Sequence, residues 1–315
     1  MSKAVNITSH LLHGPWAGKH EGCWKSRFPN VWLAVLQLCT TLTLLSRGWL
    51  MFRWDSHIRG LCWNEELLTP WIEQYTDSSW DDYALHSDPY ITSSIEWLGI
   101  TLMIISGLCL LLRVPKLAWL KWSLVPAFLI MTLDAFGNLA DKDYDAAMAM
   151  EYALQVGTPL ALLMALTRHK WNRTWGWIVS LLAASCFLGH GLYAAGHFPL
   201  PWSFQTMSMT ILRVDEEQAK AFLYLAGVLD FIVAAAILIP ALRRPALYYM
   251  ILWGGVTSLA RVLAHYNPAL KYNGLDPWVA EMLVRSSHWL LPLLILALLP
   301  SYTKQSNRRD DSRDE

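Results

Sequence analysis

His190, Arg261, Arg285 and His288 are basic side chains set inside otherwise apolar stretches, and Asp134, Glu151 and Asp230 are acidic side chains set the same way. An imidazole takes up and releases protons near neutral pH. A guanidinium holds an anionic or carbonyl oxygen, and a carboxylate orients both. The seven therefore read as a catalytic set: His190 and His288 exchange protons, Arg261 and Arg285 hold an oxygen, and Asp134, Glu151 and Asp230 orient them. Arg47, Glu96, Asn138, Gln155, Glu281, Tyr193 and His265 fall at a similar depth, and Tyr193 and His265 are further candidates to touch a cofactor. The same pattern also reads as separate ion pairs locking helices together. Glu281 and Arg285 are four apart on one helix face, as are Arg261 and His265.

The histidines raise haem and metal chemistry. His190 and His197 are seven apart, two helical turns, although Gly196 and Pro199 fray a helix before His197. His265 and His288 come from neighbouring apolar stretches. A bis-histidine haem needs two neutral imidazoles facing each other from different helices, which this spacing permits but does not specify. No spaced ligand motif announces a metal site, so none is expected, and a hydrogen-bonded histidine or proton relay is the simpler reading. A phosphate-cradling glycine loop, a Gly-x-Ser-x-Gly elbow and His-Glu-x-x-His are all missing, which argues against ATP use or hydrolysis by standard machinery.

These residues must be positioned by membrane helices. Hydrophobic residues make up 54 % of the 315-residue chain and charged residues 16 %, against roughly 25 % charge in an average soluble domain. Eight segments approach the roughly 20 helical residues that cross a bilayer: Val31–Leu50, Ile95–Leu112, Leu117–Leu139, Ala147–Thr167, Trp175–Ala194, Ala219–Ile239, Ala246–His265 and Val279–Leu299. The fold class is all-α, a polytopic membrane helical bundle of about eight transmembrane helices. Residues 1–302 form one helical-bundle domain, and 303–315 a charged, disordered cytoplasmic tail. A charge inside a bilayer costs about 2.5 kcal/mol or more, so such residues face a partner or a cavity. Every span contributes a polar group, and they share a depth, which suggests one polar cavity opening toward the outer face.

Two connections stand out. Residues 51–93 carry Trp54, Trp63, Trp71, Trp80, Tyr75, Tyr83 and Tyr90, too aromatic for a disordered linker. They predict short helices on the outer membrane face, serving either as packing or as a cover over the cavity. After the fifth span, Pro199 and Pro201 stop the helix, Phe204–Leu212 reads as a short amphipathic or re-entrant helix, and Asp215 with Gln218 forms a capping box for the sixth span.

Lysine and arginine set orientation. Sixteen of the 25 fall on one side: Lys3, Lys19, Lys25 and Arg27; Arg113, Lys116 and Lys121; Arg168, Lys170 and Arg173; Arg243 and Arg244; and the tail. Residues 51–93 hold Arg53 and Arg59 against eight carboxylates. Both termini are therefore expected in the cytoplasm, with no cleaved leader before the first span. Formal net charge is zero, so nucleic acid is not an expected partner. Of five cysteines, only Cys62 falls in an outer loop, which disfavours an intramolecular disulfide.

SRGWLMFRWDSHIRGLCWNEELLTPWIEQY, residues 46–75, resembles the end of the first span and following loop of membrane proteins related to DoxX. It resembles more loosely the horizontally transferred transmembrane (HTTM) group allied to vitamin K-dependent γ-carboxylase. GHGLYAAGHFPLPWSFQTMSMTILRVDEEQAKAFLYLAGVLDFIVAA, residues 189–235, resembles the Gly-His-Gly…Pro-x-Pro…Phe…Met-Thr…Phe-Leu…Gly…Asp segment of DoxX-like proteins. Together they cover about a quarter of the chain. The resemblance implies a helical bundle in a bacterial inner membrane and, because DoxX is associated with a thiosulfate:quinone oxidoreductase, a quinone ligand. It adds Met207 and Thr210 to the candidate cofactor contacts, beside His190 and Asp230, and carries over no catalytic assignment. DoxX proteins are typically four-span, so half of this chain lies outside the comparison.

The expectation is a quinone- or lipid-linked redox enzyme acting at the outer leaflet. Its alternatives are a non-catalytic transporter or small-molecule binding protein using the same cavity, and an accessory subunit docking a membrane-protein partner through residues 51–93.

Overall fold

The computed structural model describes residues 30–168, 173–270, 272 and 274–299. The basic N-terminal segment with Cys23, Lys170 of the fourth connection, and the charged tail lie outside them. Among the described residues eight helices are long and apolar enough to cross a bilayer, and the chain is a multi-pass membrane protein.

The first span is α1 (Asn30–Arg53). Three short helices follow, α2 (Ile58–Cys62), α3 (Glu65–Tyr75) and α4 (Trp80–His86), then α5 (Asp88–Cys109). A 3-10 segment, Pro115–Ser123, leads into α6 (Leu124–Ala140), followed by α7 (Ala146–Arg168) and α8 (Arg173–Ala194). The short α9 (Trp202–Leu212) precedes α10 (Glu216–Ala236) and α11 (Arg243–Ala264). Asp215 caps α10 in a reciprocal box with Gln218, as its spacing predicts.

Two boundaries differ from the sequence expectation. The second span begins at Asp88 rather than Ile95, because Pro89 supplies a first-turn proline with a preset φ. The eighth span is not continuous: it divides into α12 (Asp276–Val284) and α13 (Ser287–Leu298), with Arg285 and Ser286 at the break. Pro292 has no N–H for the carbonyl of His288, four residues earlier. Gly254 of α11 packs against that carbonyl, where a Cβ would lie 2.9 Å away. Interrupted helices are tolerated at membrane depth where they are buried in protein or line a cavity, and are a pointer to binding sites.

Helices α1, α7, α8 and the α12–α13 pair form the centre, with 56–67 % of their apolar windows buried, against 33–44 % for α5, α6, α10 and α11. The two groups pack at very close range where glycines meet. A Cβ on Gly99 of α5 would fall 2.6 Å from the Gly48 carbonyl oxygen of α1, and one on Gly48 equally close to the Gly99 oxygen. Neither oxygen can swing aside as a side chain would. Gly99→Val is therefore expected to cost about 1–3 kcal/mol. On the same helix Gly107→Val, whose Cβ meets nothing within 4 Å, is expected to cost nothing, since valine is no worse a helix former than glycine. Thermal unfolding of the two variants in detergent checks the difference.

Candidate functional site

The central helices carry the polar layer. Arg47 of α1 lies between α6 and α7: its Nε is 3.4 Å from Asp134 Oδ2, and its Nη2 donates to Gln155 Oε1 at 3.0 Å and to the Tyr152 hydroxyl at 3.4 Å. The Ser56 hydroxyl closes over Asp134, donating to Oδ1 at 2.7 Å. Asp134 thus belongs to a structural pair sealed by the start of the 51–93 connection.

The second part centres on His190 of α8. Its Nδ1 is 2.8 Å from Glu151 Oε1 of α7, and its ring sits edge-on to His288 of α13, centroids 5.3 Å apart. Glu281 and Arg285 pair one turn apart across the α12 end. Glu281 is also within electrostatic reach of Arg47 and Arg261, so the two parts form one continuous layer. Asp230 of α10 accepts from the Tyr249 hydroxyl at 3.0 Å. In this layer four carboxylates (Asp134, Glu151, Asp230 and Glu281) face three arginines (Arg47, Arg261 and Arg285). One further positive charge balances it.

His190, His288, Asp230, Arg261 and Arg285 line a single cavity of about 160 Å³. Its remaining wall is apolar and aromatic, with Phe187, Phe204, Met207, Phe222 and Trp253. A dry cavity of about 150 Å³ admits a benzene ring, so this one admits one six-membered ring and has no room for a haem macrocycle. Its rim includes Ile211, Leu212, Phe222 and Val256, all exposed on the outer surface of the bundle. The opening therefore lies between α9, α10 and α11, on an exposed apolar flank of the bundle.

The other candidates fall elsewhere. Glu151 reaches the site through His190. Tyr193 is buried with Ala147, Met148 and Tyr152, beside Phe198. Thr210 is exposed on α9 and does not line the cavity. His265 stacks on Trp278, with Nδ1 2.7 Å from the Arg261 carbonyl oxygen, and so faces neither His288 nor the cavity. His197 is exposed beyond the end of α8, after Gly196 at φ +77°. Residues 51–93 do not roof the cavity; α9 does. The long connection instead clamps helices: the Trp54 indole joins that of Trp49, inside α1, in donating to Asp276, at 2.9 and 2.8 Å, His57 lies 3.2 Å from Asp141, and Arg59 bridges Asp55 and Asp88. Tyr83 donates to the Cys62 carbonyl at 2.9 Å, and burial pushes both the Cys62 thiol and the Tyr83 hydroxyl up.

Sequence reasoning missed the aromatic wall, Tyr249 and Cys186. The last lies one turn before His190, and the ligand atoms of Cys186, His190 and His288 all lie within 4.8 Å of one another. The Cys-x-x-x-His spacing on a span was the available signal. A larger hollow of about 410 Å³ between α6, α7 and α8 is lined by Phe128, Phe136, Trp175 and other apolar groups and holds no charged side chain, so it suits lipid chains rather than chemistry. Comparison of the chain with protein-family models, curated proteins and solved structures finds no match.

Proposed function

We propose that this membrane protein draws the ring headgroup of a lipid-borne quinone from the bilayer into the cavity and holds its carbonyl oxygens by hydrogen bonds; two electrons from a separate donor protein would accompany the two protons that turn it into the quinol. The observation that supports it is one cavity, sized for a ring and opening toward lipid, onto which two histidines, two arginines and an aspartate converge. Arg261 and Arg285 hold an oxygen; His190, fixed through Nδ1 by Glu151, and His288 are the proton-exchanging groups; a proton on His190 balances the layer. The prenyl tail leaves between α9, α10 and α11. A transporter reading is less well supported, because Leu36, Leu162, Leu294 and Ile295 are buried in one apolar core and offer a polar solute no path.

Mass spectrometry of small molecules retained by protein purified in mild detergent tests the proposal. A quinone close to equimolar is expected; bulk phospholipid alone would sink it. Ala226 lines the cavity, so Ala226→Phe places a ring where the ligand's would sit. This variant is expected to lose the quinone while its unfolding temperature holds or rises, and equimolar quinone in it would count against the assignment.

We also place the protein in a bacterial inner membrane with both termini cytoplasmic and α2–α4 outside, on the strength of the lysine and arginine bias. Cys62 then reacts with an impermeant maleimide in intact spheroplasts, and Cys23 does not. Since its thiol titrates above the ordinary value, Cys62 holds less thiolate at neutral pH than a free cysteine. Labelling should be slow at pH 7 and accelerate as pH rises. Labelling of Cys23 but not Cys62 would invert the topology.

A further inference from the structure

Cys186 and His190 stand one turn apart on α8, and His288 opens α13 just past the break in the last span. Their ligand atoms converge within 4.8 Å. A tetrahedral ion with bonds of about 2.0–2.3 Å holds its donors roughly 3.3–3.8 Å apart, so closure needs movement of about 1 Å. Cys186 is fully buried and His288 is 3 % exposed, yet His288 Nε2 has no hydrogen-bond partner. A buried polar atom left without a partner calls for an explanation, and a bound ion is one. Glu151 on His190 Nδ1 leaves Nε2 to a metal, the carboxylate–histidine–metal arrangement that fixes a ligating ring.

We infer that Cys186, His190 and His288 form a binding site for a borderline transition-metal ion, Zn²⁺ foremost, with its open coordination position toward the cavity. Two imidazoles and a thiolate select such an ion over Mg²⁺ or Ca²⁺, which take oxygen ligands. Three protein ligands with one position free is the arrangement of catalytic rather than structural zinc. Charge agrees independently of geometry. A divalent ion on one thiolate carries a single net positive charge, and with His190 neutral as a ligand it takes the place in the balance of four carboxylates and three arginines that a proton on His190 holds in the metal-free protein. Two histidines line the cavity and the cysteine lies behind them, so an ion here would meet an oxygen-bearing ligand from inside the protein. The site stands whether or not that ligand is a quinone; with the ion bound, both imidazoles are ligands and the proton-exchanging role given to them above belongs to the metal-free protein alone.

The test uses the full chain, without a histidine tag, purified in mild detergent. Close to equimolar zinc is expected in the wild type and background in Cys186→Ser and His288→Ala. Glu151→Gln should weaken zinc affinity about 10–100-fold. Cys39→Ser, which alters a buried cysteine outside the cluster, should leave zinc unchanged. Cobalt loaded into the zinc-free wild type should show a thiolate-to-cobalt charge-transfer band, a readout that needs no variant to fold. A cobalt-loaded wild type without that band overturns the site, as does zinc that persists in well-folded Cys186→Ser, the signature of an ion adventitiously held by exposed histidines such as His197.

Discussion

Asp134→Ala lowers stability by about 3–5 kcal/mol, the largest single effect expected here, because it leaves Arg47 buried with its charge partner gone. Both side chains are almost wholly inaccessible. Gln155 and Tyr152 still accept from Arg47, but neither carries a charge, and Ser56 loses its acceptor at the same stroke. Arg47→Met alone costs a similar amount by isolating the carboxylate. The informative variant is the double one. A buried ion pair replaced by apolar groups of similar volume is often neutral or stabilising, so Arg47→Met with Asp134→Leu should recover most of the loss. Chemical unfolding in mixed micelles measures all three. Additive single effects in the double variant would show that the residues do not act as a pair. Quinone retention unchanged in the double variant is also expected, since neither residue lines the cavity; its loss would bring Asp134 back among the binding groups.

Arg261→Gln weakens binding of a short-chain benzoquinone roughly 10- to 150-fold, the equivalent of one hydrogen bond to a charged group at about 1.5–3 kcal/mol. Arg261 is buried, its Nε has no hydrogen-bond partner, and it lies within electrostatic reach of Arg285. Two like charges held together with a donor to spare form an arrangement that an incoming oxygen relieves. Arg285→Gln is expected to have the smaller effect, because Glu281 already engages that guanidinium. Calorimetric titration separates them. Equal affinity in Arg261→Gln and wild type would remove Arg261 from the binding role and with it the oxygen-holding step.

Apolar run length was enough to find all eight membrane helices, because the thickness of a bilayer leaves a helix little choice. The cap at Asp215 and Gln218 was legible for the same local reason, as was the short α9. The sequence also determined which residues had to find polar company, since a charge among apolar neighbours announces its own cost: Arg47, Asp134, Glu151, Asp230, Arg261, Arg285 and His288 all lie in or on the buried layer.

Only the tertiary structure decided which partner each took. Asp134 went to Arg47, 87 residues away in sequence, His190 to Glu151, and His265 to a stacking tryptophan. Nothing in a helix's own periodicity fixes its rotation against neighbours contributed by distant segments. The roof over the cavity changed owner for the same reason: the conspicuous aromatic connection clamps α1, α6 and α12, whereas the modest α9 drops between α10 and α11. The break at Arg285–Ser286 escaped a hydropathy window, which averages over it. Cys186 looked like one more apolar residue until α8 and α13 packed together and set its sulfur beside two imidazoles. Composition and run length fixed the membrane bundle because the bilayer acts on every span alike; the site depends on how spans distant in sequence turn toward one another, and packing alone sets that.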